Sequence, residues 1–223
     1  RCLYMPSIPV LDGVDLQPRL KAKFPAKEFY LENDANVAAL GEYYFSGSKI
    51  PVNYLFVTLG TGVGSAAIIN KKIFIGGDGN AMELGHILSK NGKELEENIG
   101  KRGIMGRARK LIQKKKTSLS KIKEFDPKTI IREAENGDKV SIKIYKEVGE
   151  FLGEGLVATI RLLDIKTILI GGGVAASFDL IYDSLLDTLE SNLTPYYTKD
   201  LVIKPAELGN NAGIIGAASL CFK

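Results

Sequence analysis

Apolar and polar positions along this chain follow two periods. From Val140 to Leu163 the apolar residues Val140, Ile144, Val148, Phe151, Leu152, Leu156, Ile160 and Leu163 recur every three or four positions, the spacing of one face of a helix. Asp179 to Leu193 repeats that pattern, and Ala212 to Leu220 reads as a helix of small residues. A helix is predicted over Glu94–Lys116 with an interruption at Gly103, and another from Pro127 to Asn136, ended by Gly137. Near the start, Asp15–Phe24 reads as one short helix bounded by Pro18 and Pro25, and Asn33-Asp34 as the cap of a helix over Ala35–Tyr44. Short apolar runs predict strands at Glu28–Leu31, Asn53–Leu59, Ser65–Asn70, Ile73–Ile75, Thr167–Ile170 and Leu201–Lys204, with Lys71-Lys72 as a hairpin turn. Strands alternate with helices in the second half, which predicts an α/β protein.

Composition narrows the class. With 223 residues, 45% of them hydrophobic, the chain is large enough for a packed core. The net charge of +4 is too mild to point to nucleic acid. No run of about 18 apolar residues occurs, so no membrane span is expected, and no secretory leader is visible. Cys2 and Cys221 lie at opposite ends without metal or redox spacing, which suits a reducing cytoplasm. The chain opens on Arg1 and a loop-like stretch with Pro6 and Pro9, and so reads as a piece of something longer.

Three stretches carry candidate chemistry. Gly60-Thr61-Gly62-Val63-Gly64 matches neither the phosphate loop that needs a Lys-Ser/Thr ending nor the dinucleotide turn that opens a helix. It lies between two predicted strands, where it can serve as a tight hairpin or expose backbone N–H groups to an anion. Asp34, beside Asn33, can cap a helix or act as a base toward a substrate hydroxyl. Glu83 and His86, three residues apart around Gly85, can form a surface pair or converge on one polyhydroxyl ligand.

Together these stretches resemble the ROK family (repressor, open reading frame, kinase) of the actin-like sugar-kinase superfamily. The segments that carry the resemblance are LENDANVAALGE, LFVTLGTGVGSAAII, GGDGNAMELGH, LIGGGVA and NNAGIIGAASL, in that order along nearly the whole chain. The resemblance implies an actin-like (ribonuclease H-like) α/β fold, mainly the C-terminal lobe. Residues 1–34 would be a remnant of the small N-terminal lobe and 35–223 the large lobe. It implies Asp34 as catalytic base, Asn33, Glu83, His86 and Glu96 as sugar-binding residues, and Gly60, Thr61 and Gly62 as the turn that embraces the ATP phosphates. Gly171, Gly172 and Gly173 would lie on the adenosine side, and Mg2+ would accompany the nucleotide. The implied protein is a cytoplasmic, ATP-dependent hexose kinase of glucokinase type. A homodimer is also implied, to which the helix from Val140 would contribute.

The chain departs from that pattern in three places. Many members follow the Glu-x-Gly-His motif with a cysteine-rich zinc loop that uses the histidine as a ligand. Here Ile87 to Glu96 reads ILSKNGKELE, without cysteine, and His86 is the single histidine. Structural zinc wants four N or S ligands, so no zinc is expected and His86 is left for substrate. The register of the sugar carboxylate stays open among Glu94, Glu96 and Glu97. Met82 stands where the family usually has Gly, which puts the shape of the sugar pocket in question. The family's opening Asp-x-Gly-Gly-Thr loop is absent, so this chain alone is expected to be a poor catalyst. The other class compatible with these motifs is the sugar-sensing part of a transcriptional repressor, the one reading with a nucleic-acid partner. The basic stretch Arg107, Arg109, Lys110, Lys114, Lys115 and Lys116 lacks interleaved aromatics and reads as a solvated helix face.

Overall fold

A computed structural model describes residues 8–173 and 177–222. After a 3-10 turn at Pro9–Leu11, α1 (Leu16–Lys23) lies on the surface with no buried residue. Helix α2 (Asp34–Phe45) starts at Asn33, whose side chain accepts from the N–H groups of Ala35 and Asn36. The N-cap therefore meets two of the donors that a helix start leaves unpaired.

Strand β1 (Tyr54–Leu59) runs into β2 (Val63–Ile69), and β2 into the two-residue β3 (Lys72–Ile73). The β1–β2 and β2–β3 pairs are antiparallel; β1 pairs in parallel with β4 (Thr167–Gly171), which pairs in parallel with β5 (Val202–Pro205). The five-stranded order is β3-β2-β1-β4-β5. Between β3 and β4 come α3 (Leu95–Ile99), α4 (Lys101–Ile112), α5 (Pro127–Glu135) and the long α6 (Lys139–Leu163). Helices α7 (Phe178–Asn192) and α8 (Pro195–Thr198) lead to β5, and α9 (Ala212–Ser219) closes the fold.

Both faces of the sheet are covered, which is why β1 and β4 read as continuous apolar runs rather than alternating ones. Leu55, Val57 and Leu59 face one core with Ile168, Ile170 and the apolar stripes of α4 to α7. Tyr54 and Phe56 face the other, with Ile68, Leu169, α2 and α9. Helices α2 and α9 meet backbone to backbone: a Cβ added at Gly216 would sit 1.6 Å from the Val37 carbonyl oxygen, and one at Gly41 would sit 2.5 Å from that of Ala212. Glu42, 1% exposed, lies at this crossing and accepts from the N–H groups of Glu207 (3.1 Å) and Leu208 (2.7 Å). Among the described residues no helix is long and apolar enough to cross a membrane.

Four predicted elements differ. Glu28–Leu31 forms no strand and pairs with no strand of the sheet, and Tyr30 and Leu31 are about half exposed. The hairpin turn is Asn70-Lys71, with φ of 53° and 66°, instead of Lys71-Lys72; two left-handed residues suit the right-handed twist of the flanking strands. β3 ends at Ile73 rather than Ile75, since Gly76 at φ 70° turns the chain away. The helical stretch after Glu94 breaks at Gly100 (φ −68°, ψ 167°), not Gly103, and ends at Ile112. Gly103 instead allows a close approach, where a Cβ would be 2.4 Å from the carbonyl oxygens of Glu97 and Asn98.

Candidate functional site

Because β1 and β4 are parallel and adjacent, with Thr58 opposite Gly171, their C-terminal ends open at the same edge of the sheet. Ligands in open α/β folds bind at such an edge. The Gly60–Gly62 turn leaves β1 there. Its shape is held by a hydrogen bond from the Gly60 N–H to the Gly62 carbonyl (2.9 Å) and by the Lys101 N–H at the start of α4, which donates to the carbonyls of Gly60 (3.1 Å) and Thr61 (3.2 Å). No atom lies within 4 Å of a Cβ added at Gly60, so this part of the turn is open. A Cβ at Gly62 would be 2.0 Å from Oε2 of Glu96, whose carboxylate accepts from the Val63 N–H at 2.9 Å. Glycine at 62 is what lets that carboxylate lie against the turn.

A cleft of about 390 Å³ opens beside the turn. It is lined by Asn33 and Asp34 at the start of α2, by Thr58 to Ser65 apart from Leu59, and by Met82, Glu83, His86 and Glu96. The structure thus brings Asn33, Asp34, Gly60, Thr61, Gly62, Glu83, His86 and Glu96 to one place. Asp34 sits in the first turn of α2, where the helix dipole favours an anion. Asn33 spends its carbonyl oxygen on the cap (2.8 Å to Ala35 N, 3.2 Å to Asn36 N), so its amide NH₂ is the end left for a ligand. Of the three carboxylates whose register the sequence left open, Glu96 reaches the cleft. Glu97 accepts from the Glu94 N–H (3.1 Å), and Glu94 turns to His86.

Gly171, Gly172 and Gly173 end β4 and do not line this cleft. Gly172, at φ 85°, crosses so close to β1 that a Cβ would be 2.4 Å from the Leu59 carbonyl oxygen. Nothing lies within 4 Å of the Cβ position of Gly173. Val174 and Ala175, which complete that motif, and Cys2 lie outside the described residues.

His86, expected to be left for substrate, also has protein partners. Its Nδ1 lies 2.9 Å from the Glu94 carboxylate, and its Nε2 lies 4.0 Å from that of Glu83. The hydrogen bond to Glu94 raises the imidazole pKa above its ordinary value; partial burial opposes this, and the charges of Glu94, Glu83 and Glu96 add to the rise. Met82 takes φ 69°, a left-handed conformation that a β-carbon disfavours and Gly would adopt freely. The hydroxyl of Ser65 fastens this stretch to β2 by donating to the Met82 carbonyl and accepting from the Leu84 N–H (3.3 Å).

Several site neighbours escaped the sequence. Ser65 is one; Glu32, which holds Asn36 (2.9 Å) and the Asn33 N–H (3.0 Å) behind the cleft, is another. Arg102, Arg107 and Lys110 line, with Lys93, a recess of about 630 Å³ that meets the cleft at Thr61 and Glu96. A larger apolar groove of about 1030 Å³ lies between α2, β3 and the C-terminal turn, but the acid–base residues are all in the smaller cleft. Among the described residues no group of three or more His, Cys, Asp or Glu is placed to hold a metal ion.

A family model described as the ROK family matches residues 1–223. A glucokinase of Streptomyces coelicolor is 32% identical over 227 residues, an alignment that covers 92% of this chain and 71% of the relative. The crystal structure of a ROK family glucokinase from Streptomyces griseus, in complex with glucose and AMPPNP, matches with a TM-score of 0.80 at 26% identity, over 94% of this chain and 72% of the other. That of a ROK family transcriptional regulator, a homologue of the E. coli MLC protein, matches with a TM-score of 0.87 at 25% identity, over 97% and 57%.

Proposed function

The chain belongs to the ROK family and has its actin-like fold, and on that basis we propose that it is the large lobe of an ATP-dependent hexose kinase of glucokinase type. In this reading residues 35–223 form that lobe and residues 1–34 belong to the smaller one. The observation that carries it is the meeting of Asp34, Glu83, His86 and Glu96 in one cleft with the open Gly60–Gly62 turn. That is a base, a set of hydroxyl-binding groups and an anion-facing turn within one ligand's reach. Glucose bound to a structural relative with a nucleotide analogue supports the substrate pair.

Asp34 takes the proton of a sugar hydroxyl as that oxygen attacks the terminal phosphorus; the bond from that phosphorus to the departing ADP oxygen breaks. Glu83, His86, Glu96 and the Asn33 amide hold the other hydroxyls. The Thr61 and Gly62 N–H groups face the phosphates, the Gly60 N–H being bound within the turn, and Gly171–Gly173 lie toward the adenosine. Lys93, Arg102 and Lys110, in the recess beyond Thr61, add positive charge on the nucleotide side. Magnesium would arrive on the phosphates and neutralise part of their charge.

Asp34→Asn in the full-length protein tests this reading. ATP-dependent phosphorylation of a hexose is expected when the unaltered protein is assayed across glucose, mannose, fructose and N-acetylated hexoses, and the variant should lose about 10²–10⁴-fold in kcat while sugar affinity changes little. A variant that keeps most of its kcat would reduce Asp34 to a helix residue and remove the kinase reading. The regulator match supports a second reading, a sugar-sensing effector lobe. In that case the full-length protein binds a sugar, phosphorylates none, and changes its affinity for DNA when the sugar binds.

A further inference from the structure

His86, the single histidine of the chain, ends a 3-10 turn at Leu84–His86 on the wall of the cleft. Its two ring nitrogens face different carboxylates, Glu94 from Nδ1 at 2.9 Å and Glu83 from Nε2 at 4.0 Å. A carboxylate only accepts, so the nitrogen on Glu94 carries a proton. In the neutral ring that leaves Nε2 bare and turned toward Glu83, able to accept from a hydroxyl.

Glu94 is itself fixed in place. The loop between His86 and α3 closes through its own backbone. The Leu95 N–H donates to Ile87 (2.9 Å), Ser89 to Lys93 (2.8 Å) and Gly92 to Ser89 (2.9 Å). Leu88 and Glu94 pair as an isolated bridge, and the side-chain amides of Asn91 and Asn98 bind each other (2.8 and 3.2 Å). Leu95 and Ile99, both fully buried, root the far end in the core. The loop therefore delivers one carboxylate, that of Glu94, to the back of His86.

We propose that Glu94 is a positioning residue that holds His86 through Nδ1, selects its tautomer, and presents Nε2 beside Glu83 to the same sugar hydroxyl. The role in sugar binding rests on the hexose reading of the cleft given above. Without the contact, a ring whose side chain is 58% exposed would be free to rotate and would favour the proton on Nε2, where it could not accept. The charged groups that act on His86 are Glu83, Glu94 and Glu96, and together with the hydrogen bond they favour the protonated ring. Protonation turns Nε2 from acceptor to donor, so the same contact makes the cleft's hydrogen-bonding pattern depend on pH.

A single histidine makes the test direct. Two-dimensional ¹H–¹⁵N spectra of the ring nitrogens, recorded across pH, report both tautomer and midpoint. The expected result is a neutral ring protonated at Nδ1, with a midpoint above the ordinary value of about 6.5. Glu94→Gln keeps an acceptor oxygen but no charge, so the midpoint should fall while the Nδ1-protonated form persists. Glu94→Ala should lose both, and D-glucose affinity measured with AMPPNP present should fall about tenfold, the effect of one oriented hydrogen bond. An unchanged tautomer and midpoint in Glu94→Ala would overturn the proposal, whether or not glucose binds. So would the expected spectral changes with undiminished glucose affinity, because the contact would then do nothing for the sugar. If glucose fails to bind the unaltered protein while the ring behaves as expected, the hexose reading falls and the hold of Glu94 on His86 stands.

Discussion

Replacing Gly85 by alanine probes how tightly the sugar side of the cleft is tied to the sheet. A Cβ at position 85 would sit 2.3 Å from the carbonyl oxygen of Val63, whereas ordinary contact begins at 3.4 Å, so one side must give way by about 1 Å. Neither is loose. Val63 pairs with Leu59 in the sheet and its N–H is bound to Glu96. Leu84 is bound to Ser65, and the His86 N–H donates to the Glu83 carbonyl at 3.1 Å. Overpacking of this kind costs about 1–3 kcal/mol, which in a domain of this size lowers Tm by roughly 2–12 °C. The displacement passes either to Glu83 and His86 or to the Gly60–Gly62 turn, and a 1 Å error between such groups costs about 10²-fold in rate. Thermal unfolding and kcat/KM for glucose in the full-length protein measure the two effects separately. Gly106→Ala is the counter-test: it lies inside α4 with no atom within 4 Å of its Cβ position, so it should stabilise by about 0.5–1 kcal/mol through helix propensity alone. A Gly85→Ala protein with unchanged Tm would refute the steric reasoning. One with a lowered Tm but unchanged kcat/KM would refute the link between that contact and the cleft.

Glu42→Ala leaves the buried N–H groups of Glu207 and Leu208 without their acceptor and should cost about 3 kcal/mol in urea unfolding, with Glu42→Gln losing less because it keeps one acceptor oxygen; equal stability of Ala and unaltered protein would contradict this. His86 should make stability depend on pH. Because its folded pKa is raised, its contribution is complete below the unfolded value of about 6.5 and is lost as pH rises through the folded value. Unfolding measured from pH 5 to 9 should show that loss, and Glu94→Gln should flatten it. Elemental analysis of the purified protein should find no stoichiometric zinc; one zinc per chain with His86 as ligand would mean that another set of donors completes a site.

What the sequence determined by itself is whatever depends on neighbours along the chain. β1 and β4 were legible because a strand covered on both faces must be apolar at every position, and α6 because one buried face imposes its period over 25 residues. The Gly60–Gly62 turn and the Asn33 cap were legible because backbone geometry restricts which residues can stand there. The tertiary structure decided whatever depends on distance in space. Which of Glu94, Glu96 and Glu97 reaches the turn depends on how α3 packs against β2, where the Glu96 carboxylate meets the Val63 N–H. Glu28–Leu31 has a strand-like sequence but pairs with no strand of the sheet, and a strand needs a partner for its backbone. Glu42 reads locally as one more helix carboxylate, yet its partners lie 165 and 166 residues away. Nothing in a local pattern carries that information, because a hydrogen bond depends on where two groups end up in space, and the packing of α2 against α9 is what brings these together.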